Sequence, residues 1–245
     1  MNLIIDIGNT LTKLAIFNND KLIEQWTEDN DTGKTSHANP GKNLDISNVI
    51  LSTVTENNPL PPQTNKEKSF TIILDHSTPL PIKNKYKTPQ TLGNDRLANA
   101  VGATLFFPKK NVLIIDLGTC IKYDFIDKRK NYPGGAISPG FEMRFKALKH
   151  YTAKLPLIKP SKKFSLTGNS TEQSILSGVQ NGIIFEINGA IEQYKKKYDE
   201  LKVILTGGDH AFFADHLKSS IFAAPNLTVQ GLNEILNYNI RKKER

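Results

Sequence analysis

A short apolar motif occurs twice in this chain and constrains its fold more than any other feature. The first copy is Leu-Ile-Ile-Asp-Ile-Gly-Asn-Thr at residues 3–10, and the second is Leu-Ile-Ile-Asp-Leu-Gly-Thr at residues 113–119. With Asn9 omitted, the copies align and Lys13 falls on Lys122. Each copy predicts a buried strand, a glycine turn that lets backbone amides approach a ligand, and a second strand. The repeat therefore predicts two related domains that each carry one acidic strand end.

The acidic strand ends, Asp6 and Asp116, are candidates for holding a cation or its water shell against phosphates. A plain β-hairpin, in which the aspartate only serves the turn, would explain one copy. It does not explain two copies in one chain. Another phosphate motif is excluded, because the Gly-Lys-Thr at 33–35 lacks the glycine that a P-loop needs five positions earlier, where Glu28 stands.

Composition limits the classes of function. The chain has 245 residues, enough for one large or two modest domains, with 38% hydrophobic and 23% charged residues. No apolar run approaches the ~20 residues that span a bilayer, and the single cysteine, Cys120, fits a reducing cytoplasm. We expect Cys120 to pack rather than react. The net charge of +8 favours anionic small substrates, but scattered lysines without an aromatic platform predict no nucleic-acid partner.

Hydrophobic periodicity predicts a domain over residues 1–108. Five strands should form a mixed sheet, at 3–8, 11–17, 21–27, 48–54 and 70–74. The segment 28–45 is polar, 56–68 is a proline-rich loop, and 79–90 is extended. A helix should begin near Asn94 and end before Pro108, with one apolar face formed by Leu97, Val101, Thr104 and Leu105.

A second domain is predicted over residues 109–245. Its expected strands are 112–117, 120–126, 130–137, 202–206 and 220–224. Ser138 should cap a helix that has Pro139 at its first position. A capping box at 170–173 should open a long helix with isoleucines and a valine at fourfold spacing. Asp209 should cap a further helix, and the last helix should start near Asn233.

The whole ordered set of motifs resembles the type III pantothenate kinases, within the actin-like and sugar-kinase ATPases. The motifs are Asp6-Ile7-Gly8-Asn9-Thr10 with Lys13, Tyr86-Lys87-Thr88-Pro89, Gly93-Asn94-Asp95-Arg96, Asp116-Leu117-Gly118-Thr119, Gly134-Gly135-Ala136-Ile137-Ser138-Pro139-Gly140 and Thr206-Gly207-Gly208-Asp209. This resemblance implies an α/β fold with two tandem ribonuclease H-like (actin-like ATPase) domains and a central cleft. It also implies a homodimer that phosphorylates pantothenate with ATP, the first step toward coenzyme A.

The resemblance assigns roles to individual residues. The implied ATP contacts are Asp6, Ile7, Gly8, Asn9, Thr10, Leu11, Thr12, Lys13 and Thr119. The implied pantothenate contacts are Tyr86, Gly93, Asn94, Asp95, Arg96 and Thr171. Asp95 would be the general base, and Arg96 would bind the pantothenate carboxylate as a fork. Asp116 would bind a monovalent cation, K⁺ or NH₄⁺, and Mg²⁺ would accompany ATP.

Two other functions remain open at this point. One is a kinase of the same superfamily that acts on a sugar or a short acid, and the Gly-Asn-Asp-Arg at 93–96 argues against it. The other is a non-catalytic regulatory relative, against which the intact carboxylates Asp6, Asp95 and Asp116 argue.

Overall fold

The computed structural model describes residues 1–36, 44–54, 70–217 and 220–244. The loop expected at 56–68 lies outside the described residues, as does part of the polar segment 28–45. Contacts divide the chain into two units. Unit 1 contains Met1–Lys109, Ile126–Gly134 and Asn226–Arg245, and unit 2 contains Lys110–Phe125 and Gly135–Pro225.

In the described residues, two runs of consecutive strands are each followed by helices, and strands and helices alternate only toward the end. The strands are β1 (Asn2–Ile7), β2 (Leu11–Asn18), β3 (Lys21–Asp29), β4 (Asn48–Thr53), β5 (Phe70–Ile73), β6 (Lys83–Asn84), β7 (Val112–Leu117), β8 (Cys120–Ile126), β9 (Asn131–Tyr132), β10 (Gly134–Pro139), β11 (Lys202–Thr206) and β12 (Phe222–Ala223). The helices are α1 (Asn94–Phe106), α2 (Phe141–His150), α3 (Thr171–Lys197), α4 (His210–Ala214) and α5 (Leu227–Lys243). None of the described helices combines the length and the apolar character needed to cross a membrane.

Unit 1 is built on the predicted mixed sheet, with strand order β3-β2-β1-β4-β5. The strand β1 lies at its centre, antiparallel to β2 and parallel to β4. Its position follows from its sequence, since Ile4 and Ile5 point to opposite faces and both are buried. Because β1 is paired on both sides as far as Ile7, the backbone of Asp6 near its end is held in place.

Helix α5 joins unit 1 although it comes last in the sequence. A Cβ on Gly231 would lie 1.8 Å from the carbonyl oxygen of Ala98, so only glycine lets α5 lie this close to α1. The predicted start near Asn233 was therefore wrong, because Gly231 is a packing residue inside the helix and not a break before it. Buried Asn2 on β1 donates to the side-chain oxygens of Asn233 and Asn237 at 2.8 and 2.7 Å.

The predicted apolar face of α1 is confirmed for Leu97 and Val101, which are buried. Leu105 is 49% exposed, so this part of the prediction was wrong. Eight residues advance a helix by about 80° beyond two full turns, which rotates Leu105 away from the face that starts at Leu97.

Unit 2 contains a second five-stranded sheet, with order β10-β8-β7-β11-β12. Every residue of β7 is buried, and β7 lies parallel to β11. The predicted long helix is α3, whose fourfold-spaced residues are all buried: Ile175, Val179, Ile183, Ile187 and Ile191. Its cap is Ser170, which accepts a hydrogen bond from the amide of Gln173. The Gln173 side-chain oxygen accepts a hydrogen bond from the backbone amide of Asn169. In a capping box it would accept from the amide of the N-cap residue itself, which is Ser170.

The prediction that Ser138 caps a helix was wrong. Ser138 and Pro139 end the edge strand β10, where proline is tolerated, and Gly140 is the N-cap of α2. The Arg144 side chain explains the difference, because it donates to the Ser138 hydroxyl at 3.0 Å and to the Pro139 carbonyl at 2.9 Å. The single strand expected at 130–137 is also divided, into β9 and β10.

Candidate active site

The first glycine turn, between β1 and β2, carries a buried carboxylate and a lysine on adjacent strands. Asp6 is 6% exposed, and the Ser52 hydroxyl donates to its Oδ1 at 3.0 Å. Lys13 lies opposite Asp6 in the strand register. The Gly8 amide donates to the Leu11 carbonyl at 3.0 Å and closes the turn. A cationic side chain therefore lies near the base of a turn whose tip is exposed.

Asn30 holds this first turn from the side. Its side-chain amide donates to the Gly8 carbonyl at 2.8 Å, and its side-chain oxygen accepts from the Thr12 hydroxyl at 2.7 Å. The Asn30 backbone amide also donates to the Thr10 carbonyl at 3.0 Å. No sequence pattern marks this residue, because it lies just past β3 in a polar segment without periodicity.

The start of α1 lies next to the first turn. The Val54 amide donates to the Ile7 carbonyl at 3.1 Å, and the Asn94 side chain donates to the Thr53 carbonyl at 3.3 Å. Asn94 also donates to the Leu74 carbonyl at 2.8 Å. The predicted helix start near Asn94 is confirmed; Gly93 is the N-cap, and Asn94 ties the helix to the ends of two strands.

Asp95 lies in the first helical turn of α1, as predicted. Its Oδ1 accepts a hydrogen bond from the Arg96 amide at 2.9 Å. The side chain is half-buried, and the helix N-terminus favours a negative charge there. A carboxylate that is fixed in this way and still reaches solvent can accept a proton from a bound alcohol.

Arg96 is held by an aromatic ring. It is 4% exposed, and its guanidinium carbon lies 5.6 Å from the centroid of the Tyr86 ring. Gly134, with φ of 114°, lies against the same ring, since a Cβ there would be 2.7 Å from Tyr86 Cδ2. The Lys85 amide donates to the Tyr132 carbonyl at 2.8 Å, which fixes the segment that carries Tyr86. The ring thus positions Arg96, a role that the sequence did not reveal.

The second glycine turn, between β7 and β8, has a different environment. The Lys122 ammonium lies 2.8 Å from Asp116 Oδ2, and the two side chains are 16% and 11% exposed. Thr119 at the tip is exposed. Two glycines lie against the turn: a Cβ on Gly140 would be 2.2 Å from the Thr119 carbonyl oxygen, and one on Gly207 would be 2.4 Å from the Leu117 carbonyl oxygen.

Asp209 lies two residues after Gly207, near the second glycine turn. It is the N-cap of α4, as predicted, although its side chain makes no cap hydrogen bond, and its amide donates to the Leu117 carbonyl at 3.0 Å. Burial raises the pKa of the Asp209 carboxyl, and the nearby Glu142 raises it further. This carboxylate was not among the predicted site residues.

The residues around Asp116 do not fit the expected monovalent cation. One carboxylate oxygen already faces an ammonium group, and the other faces Gly207, where a Cβ would be 2.6 Å away. Among the described residues, no group of three or more His, Cys, Asp or Glu side chains could hold a metal ion. Asp6 fits Mg²⁺ better, because Mg²⁺ that arrives with ATP needs only one or two carboxylates besides phosphate oxygens.

Thr171 lies in an open groove of unit 2 with a volume of about 1190 Å³. The groove is lined by the start of α3 and by one face of α2, including Arg144, Leu148 and Tyr151. Tyr151 is 82% exposed. Thr171 is thus on a ligand-sized surface, as a substrate contact requires.

Comparisons with solved structures support the fold. A candidate Baf family transcriptional activator from Campylobacter jejuni is 20% identical, with a TM-score of 0.61 over 98% of this chain and 99% of that one. A component of the (R)-2-hydroxyglutaryl-CoA dehydratase of Acidaminococcus fermentans is 12% identical, with a TM-score of 0.51 over 100% and 99%. A candidate 2-dehydro-3-deoxygalactonokinase from Sinorhizobium meliloti has a TM-score of 0.52 at 11% identity, over 98% and 99%. The predicted actin-like and sugar-kinase fold class is confirmed.

Comparisons of sequence are more specific. A family model for type III pantothenate kinases matches residues 2–193. The type III pantothenate kinase of Cytophaga hutchinsonii is 46% identical over 98% of this chain and 100% of its own length. That of Bacteroides fragilis is 46% identical over 98% of both chains. With such similarity along almost its whole length, the chain belongs to the type III pantothenate kinase family.

Proposed function

We propose that this chain transfers the γ-phosphate of ATP to the primary hydroxyl of pantothenate. The product is 4′-phosphopantothenate, and the reaction is the first step of coenzyme A biosynthesis. One observation within unit 1 supports this most directly. The first glycine turn is joined through Thr53 and Val54 to the helix start that carries Asp95 and the buried Arg96. A phosphate site, a proton acceptor and a carboxylate-binding cation are therefore neighbours in one unit.

The first turn binds the ATP phosphates. Its exposed tip, Asn9 and Thr10, offers amides and a hydroxyl, and Lys13 adds a point charge. Asp6 would hold Mg²⁺ or its water shell, and the bound ion would supply positive charge to the phosphate oxygens. From unit 2, the family resemblance assigns Thr119 to ATP and Thr171 to pantothenate.

Asp95 accepts the proton of the pantothenate hydroxyl. The transition state of phosphoryl transfer is loose, so little negative charge is needed on the nucleophile early in the reaction. An ordinary carboxylate can then take the proton late, and its position matters more than its basicity. The hydrogen bond from the Arg96 amide and the helix start provide that position.

Arg96 binds the pantothenate carboxylate. A guanidinium group forms two parallel hydrogen bonds with a carboxylate, and the Tyr86 ring keeps this one in place. Asn94 and Gly93 shape the same helix start. The proposed homodimer is supported by family resemblance, and light scattering should give about twice 27.3 kDa. A cytoplasmic location stays a prediction.

The decisive experiment measures ADP release by chromatography, with and without pantothenate. Sugars serve as alternative acceptors, and pantothenol, in which an alcohol replaces the carboxylate, tests the Arg96 site. ADP should appear only with pantothenate, and pantothenol should react with a raised KM. Equal turnover without pantothenate, or preferential phosphorylation of a sugar, would overturn the proposal.

A further inference from the structure

We propose that Lys122 supplies, within the chain, the positive charge that a monovalent cation would supply beside Asp116. The proposed reaction then needs neither K⁺ nor NH₄⁺. This inference rests on the proposed function, because it concerns the second turn of the same enzyme. It replaces the cation that family resemblance implied with a side chain of this protein.

The geometry of the ion pair supports this inference. The Lys122 ammonium lies 2.8 Å from Asp116 Oδ2, and each side chain is less than one-fifth exposed. A buried carboxylate is costly without a compensating charge, and the ammonium provides it. A lysine ammonium is also close in chemistry to NH₄⁺, one of the two ions that the resemblance names.

The surroundings of Asp116 leave little opportunity for a second cation. Gly207, with φ of 91°, lies against Oδ1, and a free cation near Oδ2 would be repelled by the ammonium. The tethered charge is also always present, whereas a free ion must be bound from solution. Lys122 therefore has an advantage over an ion that must be bound from solution.

The repeat suggests an alternative role for this lysine. Lys122 aligns with Lys13, so it could contact ATP phosphates directly. The structure favours the first role, because the ammonium is already engaged by the Asp116 carboxylate. The two roles differ in one respect, since a small cation can replace a charge beside Asp116 but cannot replace a phosphate-binding side chain.

The experiment compares the wild type with Lys122→Ala in potassium, sodium and N-methyl-D-glucamine chloride at equal ionic strength. Turnover of pantothenate is measured directly as ADP, and melting temperature is measured in the same buffers. Lys110→Ala is the matched control, because it removes another ion pair of unit 2, with Glu200, in which both side chains are more exposed.

We expect wild-type kcat/KM to agree within about twofold in all three salts. Lys122→Ala should lose about tenfold or more in N-methyl-D-glucamine, and potassium should restore most of this loss. Potassium should also raise the melting temperature of Lys122→Ala specifically, and leave that of the wild type and of Lys110→Ala unchanged. These results together would support the inference that the Lys122 ammonium takes the place of a monovalent cation beside Asp116.

Wild-type activity that depends on potassium or ammonium would overturn the inference, and this result needs no variant. A folded Lys122→Ala protein whose loss potassium does not repair would overturn it as well. Failure of the proposed function looks different, because it would abolish pantothenate-dependent turnover in every salt.

Discussion

The two glycine turns share a sequence pattern but differ in what surrounds their aspartates. Asp6 accepts a hydrogen bond from a neutral hydroxyl, that of Ser52, whereas Asp116 pairs with the ammonium of Lys122. Asn30 holds the first turn from the side, and two glycine backbones, Gly140 and Gly207, lie against the second. The lysine of the first turn is the one proposed to bind ATP phosphates, whereas the lysine of the second turn pairs with an aspartate of the protein.

This difference shows that two copies of one sequence motif can place the same residue types in different contacts. Both turns keep the strand, the glycine and the exposed tip. The aligned lysine, however, has a different environment in each unit, and only the contacts of the folded chain distinguish the two. We therefore expect substitutions near the first turn to change catalysis in every salt, and substitutions near the second turn to change stability or to make activity depend on the salt.

The largest expected effect tests whether the proton acceptor is Asp95, which lies near the first turn. Asp95→Asn keeps the shape of the side chain and removes the proton acceptor. It should lower kcat by at least ~10²-fold at neutral pH, within the usual range for a general base. The KM for ATP should stay within about threefold, because the proposed nucleotide contacts come from the glycine turns.

Arg96→Ala is the matched comparison for that variant. It should weaken pantothenate binding by about 1.5–3 kcal/mol, the usual loss for a charge-assisted hydrogen bond, and calorimetry on the folded protein measures this directly. If Asp95→Asn turned over pantothenate at near wild-type kcat, the base would lie elsewhere, with Asp6 the next candidate.

The next effect concerns the packing of Gly207 against the second turn. Gly207→Ala places a Cβ against the Leu117 carbonyl at a φ of 91°. The free energy of unfolding should fall by about 2–3 kcal/mol, as measured by denaturant titration. Gly208→Ala is the control, because a Cβ there would meet no atom within 4 Å. Equal stability of the two variants would show that the second turn is not tightly packed.

A smaller effect is expected when the first turn loses its support. Asn30→Ala removes the hydrogen bonds to Gly8 and Thr12. The KM for ATP should rise about tenfold, with a smaller change in kcat. Thr12→Val should give part of this loss, and the double variant should lose less than the sum. Asn18→Ala, at the far end of β2, serves as control. An additive double variant, or an unchanged KM in Asn30→Ala, would contradict a positioning role.

The smallest effect concerns pH and Glu186 on α3. Burial acts to raise the pKa of Glu186, but hydrogen bonds from Arg144 and Tyr123 outweigh it and hold that pKa below its usual value. The stability from this carboxylate is therefore full above the unfolded pKa of about 4.3 and is lost as pH falls through the folded pKa. The melting temperature of Glu186→Gln should lie below that of the wild type at pH 7, and the gap should close in acid. A gap that persists at acid pH would exclude this linkage.

Sequence patterns predicted the elements that local periodicity defines. Both glycine turns, the mixed sheet of unit 1 and the buried stripe of α3 were correct, because apolar spacing and turn residues are local properties. Asn30, Gly231 and the Ser138–Pro139 strand end were missed or wrong. Asn30 and Gly231 depend on partners far away in the sequence. The Ser138–Pro139 strand end depends on hydrogen bonds from the Arg144 side chain, which apolar periodicity does not record. The predicted domains, residues 1–108 and 109–245, also place α1 and α5 in different domains, whereas α5 packs against α1 in the structure.

The position of α5 has a consequence for synthesis on the ribosome. Unit 1 combines two segments that are far apart in the sequence, since Asn2 donates a hydrogen bond to Asn233 and Gly231 lies against Ala98. Residues 135–225 of unit 2 follow one another without interruption. Because α5 is translated after residues 135–225, unit 1 cannot bury the α5-facing side of α1 until α5 has been synthesised, while unit 2 can already be folded. Apolar surface on α1 is exposed during this interval, which makes it a candidate site for chaperone binding to the nascent chain.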